Sequence, residues 1–241
     1  MDSSDTRRPT IPLERMETAE ILSCVEPFVA ARPPEIDQLA RASTRIRKPS
    51  GTALLSEGQP SDGLYVVLRG RVNLVRVADG GRDLILSALG PGDIFGEVAA
   101  FGGGPMSTSA LAAVHCELLR VPADVLAEHL RRDPETLIRL MRLQHDKLRE
   151  IESVASGLAL CDVEERLRRT LARLAKRQGR RVSADDGWIL APVPTQSELA
   201  RMVGSCRETV SRTLSAMARS GLVTASGRRM ILNDDLISQY I

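Results

Sequence analysis

Four side chains at helical spacing, Arg207, Glu208, Ser211 and Arg212, have the types and arrangement needed for recognition chemistry. At about 100° per residue they share one side of a helix. Val210, Thr213, Leu214 and Met217 share the opposite side and should pack inward. A guanidinium can pair bidentately with guanine and a carboxylate can accept from cytosine N4, each good pair discriminating by roughly 1–3 kcal/mol. Such a face suits base edges in a major groove. The plainer alternative is a solvated face on which Glu208 only caps the helix, and the flanking residues decide against it.

Those flanking residues must hold the face in place. Thr195-Gln196-Ser197-Glu198 reads as a capping box, in which the threonine hydroxyl takes an orphan N–H and the glutamate reaches back. Ser205-Cys206-Arg207-Glu208 predicts the same device at the start of the second helix. Between them Gly204 can turn with positive φ, and Ala200 is small where two helices must cross. Helix, glycine turn, helix over 195–214 predicts a helix-turn-helix.

The charge distribution points the same way. From Val163 onward 14 Arg and Lys stand against 8 Asp and Glu, a net of +6, and the remainder, 19 against 23, nets −4. A basic C-terminal third on an otherwise acidic chain is the footprint of a phosphate-binding module. Cys24, Cys116, Cys161 and Cys206 are scattered with no CxxC pair, so neither a disulfide framework nor a zinc site is indicated. No nucleophile–base constellation or metal cluster is visible, and no enzyme is expected. Without an apolar run long enough to span a membrane or a signal-like N-terminus, the expected location is the cytoplasm, with no membrane partner.

Organisation follows from pattern. Residues 1–18 read as a loose N-terminal arm, polar and proline-bearing over 1–15, and residues 18–29 and 34–42 as short helices. From Arg45 short Val/Leu/Ile runs alternate with glycine turns, predicting an antiparallel β-roll within a domain of residues 19–132. A long helix over 133–161 carries a heptad seam of Met141, Gln144, Leu148, Ile151, Ala155 and Leu158. That seam can pack against the roll or pair with its own copy; its narrowness on a long helix favours a homodimer. Asp162 is placed to cap the next helix, 163–178, and marks the hinge into a domain of residues 162–241. A polar loop is expected over 179–187, a strand over 188–193, and a hairpin wing over 221–232 with Arg228 and Arg229 at its tip. The predicted class is α+β.

From about Ala19 the chain resembles the Crp/Fnr family of bacterial transcription regulators. The resemblance rests on Glu57-Gly58-x-Pro60-x-Asp62-x-Leu64-Tyr65, Leu68-x-Gly70-x-Val72 and Gly90-Pro91-Gly92-Asp93-x-Phe95-Gly96-Glu97, followed in family order by the long helix, the aspartate hinge and the winged helix. It implies a dimer on two-fold related double-stranded DNA, with RNA polymerase as a further partner. Arg207, Glu208 and Arg212 match the three base-reading positions of the branch whose half-sites look like TGTGA. Ser211 is typical of the other main branch, so one relaxed base position is expected. Thr195, Gln196, Thr209, Ser226 and Arg228 match phosphate-contacting positions, which position a protein on DNA but carry no sequence information.

The effector region departs from the pattern. Gly96, Glu97 and Val98 are in place, and Glu97 could accept from a ribose hydroxyl or serve only a structural turn. Where cyclic AMP binders carry an Arg-Ser pair this chain has Ser107, Thr108 and Ser109. A buried phosphate without its cation loses a charge-assisted bidentate contact. The adenine-contacting Thr-Ser pair is replaced by Ile151 and Glu152. No cofactor is required on this reading and cyclic AMP is disfavoured; a different nucleotide or small anion stays open beside an apolar effector or none. Cysteines and histidines (His115, His129, His145) at these positions do not supply an iron–sulfur or haem ligand set. The competing class is a nucleotide-sensing regulatory subunit that acts by protein–protein contact, against which the basic C-terminal third argues.

Overall fold

The computed structural model describes residues 12–78, 80–81, 83–102, 104–182, 187–238 and 240. They divide into two compact units, the first running to Val75 and resuming over Ala88–Leu148, the second made of Arg76–Ser87 with everything from Arg149 onward. Each unit is described by itself.

The first unit opens with a 3-10 turn, Leu13–Arg15, and helices α1 (Thr18–Cys24) and α2 (Pro33–Ala42). Of the expected loose arm, residues 1–11 lie outside the described residues, whereas Leu13 is buried and Arg45 donates to the carbonyl of Glu14 at 3.1 Å. Eight strands follow in the chain, β1 (Thr44–Lys48), β2 (Ala53–Leu55), β3 (Gly63–Arg69), β4 (Val72–Val77), β5 (Asp83–Leu89), β6 (Ile94–Phe95), β7 (Ser109–Ala112) and β8 (Cys116–Pro122), the end of β4 and Asp83–Ser87 of β5 falling in the second unit. They form two four-stranded sheets in the orders β1-β8-β3-β6 and β2-β7-β4-β5. The pairings that set the roll are antiparallel, among them Tyr65 opposite Arg120 and Leu74 opposite Ala110.

Strand β3 shows why this arrangement is stable. Side chains of a strand alternate between faces. Tyr65 and Val67 point into the roll with Leu55, Val72, Phe95, Ala110 and Leu118. Leu64, Val66 and Leu68 point the other way, onto Ile21, Leu22, Phe28 and Leu39 of the N-terminal helical segment and Leu126 and Leu130 of α3 (Ala123–Arg132). Burial on both faces explains the unbroken run Leu64–Leu68, and each fully buried aliphatic side chain contributes about 1.5–3 kcal/mol.

Helix α4, Pro134–Leu160, is one continuous helix of 27 residues. The second unit continues with α5 (Val163–Gln178), β9 (Arg180–Arg181), β10 (Trp188–Leu190), α6 (Gln196–Val203), α7 (Arg207–Arg219), β11 (Val223–Ser226), β12 (Arg229–Leu232) and α8 (Asp234–Ile237). Its sheet has the order β11-β12-β10-β9. Leu167, Leu171, Leu199, Val203, Val210 and Met217 are buried. Two elements were not expected from the sequence: β9, inside the expected polar loop, and α8, capped by the Asn233 side chain accepting from Asp235 N at 3.0 Å. Residues 183–186 of that loop lie outside the described residues. Among the described residues no helix is long and apolar enough to cross a membrane.

Candidate nucleic-acid interface and effector site

The first helix of the pair is built as its sequence predicts. Glu198 N donates to Thr195 Oγ1 at 3.2 Å and Thr195 N donates to Glu198 Oε2 at 2.8 Å, closing the capping box on α6. Gly204 then takes φ 59° and ψ 49°, the left-handed conformation, and Ser205 N returns to Ala200 O at 3.0 Å. The second expected box does not form. Helix α7 starts at Arg207 with Cys206 at its N-cap, so Glu208 sits one position too early to reach back. Its carboxylate instead accepts from its own backbone N–H and from the Cys206 thiol; these bonds, with Arg207 and Arg212 nearby, hold it below the usual carboxylate range.

The outward face of α7 carries Arg207, Glu208 and Arg212 exposed and Ser211 half-buried. Val210 and Met217 are buried on the inward side, with Leu214 beside them and Thr213 partly covered. Thr209 accepts from Arg212 Nη2 at 3.4 Å and approaches Cys206 Sγ at 3.1 Å. In the wing, Ser226 pairs with Arg229 across the hairpin, and Ser226 and Arg228 are exposed. Val193 N donates to Arg228 O at 3.0 Å, tying the wing tip to the segment that leads into α6. Thr195, with its hydroxyl engaged in the cap, and Gln196 stand at the start of α6. Behind them Asp162 accepts from Glu165 N at 2.8 Å and caps α5. Arg166, which the sequence did not single out, donates to Val203 O and Cys161 O, both at 2.7 Å, and so satisfies carbonyls at the ends of α6 and α4 together.

In the first unit Gly96 has φ 81° and begins a 3-10 turn, Glu97–Phe101. A Cβ there would stand 2.5 Å from Gly63 O, so only glycine fits. Glu97 is buried, and α4 reaches its Oε1 twice: Gln144 Nε2 at 2.6 Å and Lys147 Nζ at 2.7 Å. Lys147 also donates to Ile94 O at 3.1 Å, while Glu97 Oε2 is buried with no hydrogen-bond partner among the described residues. Gln144, read from the heptad as a seam residue, therefore serves this carboxylate. Val98 packs on the roll interior, Ser107 is exposed, Thr108 is half-buried, and Ser109 Oγ accepts from Glu57 N at 3.0 Å. Ile151 and Glu152 are exposed on the part of α4 that belongs to the second unit. Among the described residues no group of His, Cys, Asp and Glu is arranged to hold a metal ion.

Comparison with known proteins agrees with this geometry. Residues 45–133 match the cyclic nucleotide-binding domain and residues 165–236 the Crp-like helix-turn-helix domain. The chain is 31% identical over 217 residues to the CRP-like cAMP-activated global transcriptional regulator of Mycobacterium tuberculosis, spanning 89% of this chain and 95% of that one. The chain belongs to the Crp/Fnr family of transcription regulators. This Crp/Fnr protein is also 33% identical over 198 residues to the cyclic AMP receptor protein of Thermus thermophilus, covering 81% and 87% of the two chains. Among solved structures it is similar to the c-di-GMP-responsive global regulator CLP of Xanthomonas campestris, with TM-score 0.68 and 29% identity over 84% of this chain and 99% of that one. FixK2 of Bradyrhizobium japonicum shares the fold, with TM-score 0.72 and 23% identity over 82% and 96%. As a Crp/Fnr regulator it is a DNA-binding protein and not an enzyme.

The partners of Glu97 in this regulator were out of reach of sequence reading. Lys147 and Gln144 lie 50 and 47 residues from Glu97, and nothing local announces that α4 will deliver them there. A signal existed for the cap error: Cys206, a poor acceptor, and Ser205 compete for the N-cap, and the turn at Gly204 places the boundary after Ser205.

Proposed function

We propose that this regulator works as a homodimer reading a palindromic, TGTGA-like site through Arg207, Glu208 and Arg212, without a requirement for cyclic AMP. The observation that carries the reading is the face of α7, where two guanidiniums and an ionised carboxylate stand exposed over a buried apolar side. Ser211 on the same face relaxes one base position. Thr195, Gln196, Thr209, Ser226 and Arg228 supply phosphate contacts. The dimer is supported by α4, on which Met141 is 63% and Leu148 53% exposed, with Ile151, Ala155 and Leu158 also open along the heptad. Such a stripe is costly to leave in water on a single chain. The protein acts in the cytoplasm, with RNA polymerase as the further partner.

Cyclic AMP independence is supported by the surroundings of Glu97. The loop through Ser107, Thr108 and Ser109 holds no arginine for a cyclic phosphate, and Glu97 is already served by Lys147 and Gln144. The two relatives above are named for cyclic AMP, so a nucleotide titration is the deciding control. Fluorescence anisotropy on a palindromic TGTGA duplex and a scrambled duplex, with and without cyclic AMP, tests both halves of the reading. Tight, specific binding without additive is expected. Binding that appears only with cyclic AMP overturns the second half, and equal affinity for both duplexes overturns the first.

A further inference from the structure

Within the second unit the end of α4, the start of α5 and the end of α6 meet at one side chain. Arg166, near the start of α5, donates from Nε to Val203 O, the last carbonyl of α6, and from Nη1 to Cys161 O, just past the end of α4, both at 2.7 Å. Each carbonyl belongs to a helix C-terminus, where backbone acceptors lack an intrahelical partner and the dipole favours a cation. The aliphatic stem crosses α4 at Gly157, which is buried: Arg166 Cγ lies 3.7 Å from where a Cβ on that glycine would stand. One residue on, Leu158 Cδ2 comes 2.7 Å from the corresponding point on Gly204. The same turn of α4 therefore also presses on the turn between α6 and α7.

Two contacts, one polar and one apolar, thus seat the helix-turn-helix on the end of α4. A simple end cap needs only a cation near one carbonyl. Arg166 commits two arms of a planar fork to two different helices, an arrangement that fixes direction as well as distance. In the homodimer, with this part of α4 beside its copy, the seat governs how far apart and at what angle the two α7 faces stand. That separation must match the spacing of the half-sites they fit. We propose that Arg166 is a positioning residue that sets half-site spacing: it holds α6, and through the Gly204 turn α7, in fixed register with the dimer helix. The inference rests on the homodimer and on the reading of α7 given above.

The test titrates full-length protein with duplexes carrying two TGTGA half-sites whose separation is changed one base pair at a time. Each base pair moves one half-site by about 3.4 Å along the axis and about 35° around it. Two charge-assisted bonds resist such a misfit by roughly ten- to hundredfold in affinity before they yield. The unaltered protein should prefer one separation over its neighbours by about tenfold or more, and Arg166→Gln should flatten that preference to within about threefold. Arg166→Lys keeps the charge but not the fork, and should flatten it too. Loss of folded protein lowers apparent affinity for every duplex alike, so the ratios between duplexes report positioning. If Arg166 acts on a phosphate directly, Arg166→Gln weakens binding to all duplexes with a smaller salt slope and Arg166→Lys restores it, a pattern that overturns the proposal. A spacing preference as sharp in both variants as in the unaltered protein also overturns it, while leaving the homodimer standing. If the unaltered protein itself ignores half-site sequence, the reading of α7 fails; if it ignores separation, the homodimer fails; either removes the proposal with it.

Discussion

At the scale of single residues the proposed reading assigns the exposed arginines two kinds of DNA contact. Arg207→Ala should lose about 1–3 kcal/mol on the specific duplex and almost nothing on a scrambled one, measured as the ratio of the two dissociation constants. Arg228→Ala should weaken both equally and reduce the salt slope by about one contact. Titratable groups give a second set of expectations. Tyr65 stacks on Phe95 and donates to Asp62 at 2.6 Å; burial, then that hydrogen bond, push its phenol up to about 12. A raised acid favours its neutral form in the folded state, so the stabilisation is complete below the ordinary value of 10.0 and is lost as pH climbs to about 12. Thermal unfolding of Tyr65→Phe followed over that window should show a shallower loss. His129 is buried beside Thr136, its ring nitrogen 3.1 Å from the hydroxyl, and burial lowers it from 6.5 although Asp133 opposes the shift. Its neutral form is therefore the folded one, and stability present above 6.5 is lost as pH falls through and below that value. His129→Gln should flatten that acid limb.

Among the elements, the α6–α7 pair depends on its turn. Gly204→Ala places a Cβ at positive φ and against Leu158, costing about 1–2 kcal/mol or more in chemical denaturation. Asp162→Ala removes the cap of α5 and costs about 0.5–2 kcal/mol, with the unfolding midpoint as the measure. The sequence made both positions legible because caps and turns are decided within four residues. The second capping box fails to form for an equally local reason. Ser205 and Glu208 have the right spacing, but Ser205 is used in the turn and Cys206 takes the cap.

On the scale of the whole molecule the proposed homodimer depends on the α4 stripe. Leu148→Glu places a charge in the seam without touching either core, and should convert a dimer to a monomer by sedimentation while abolishing tight binding to the palindrome. Retention of a dimer in that variant would mean the stripe is not the interface.

Taken alone, the sequence determined the helix-turn-helix, the Asp162 cap and which side of α7 faces outward, because each follows from period, capping and turn chemistry among near neighbours. Only the tertiary structure decided which partners those elements would meet. Glu97 receives Lys147 from 50 residues away, and Asp83 receives Arg201 from 118 away. Charge and hydrogen-bonding capacity are written in the residue, but the distance between two such residues is set by strand order and helix packing, and those emerge only when the chain has folded around its cores.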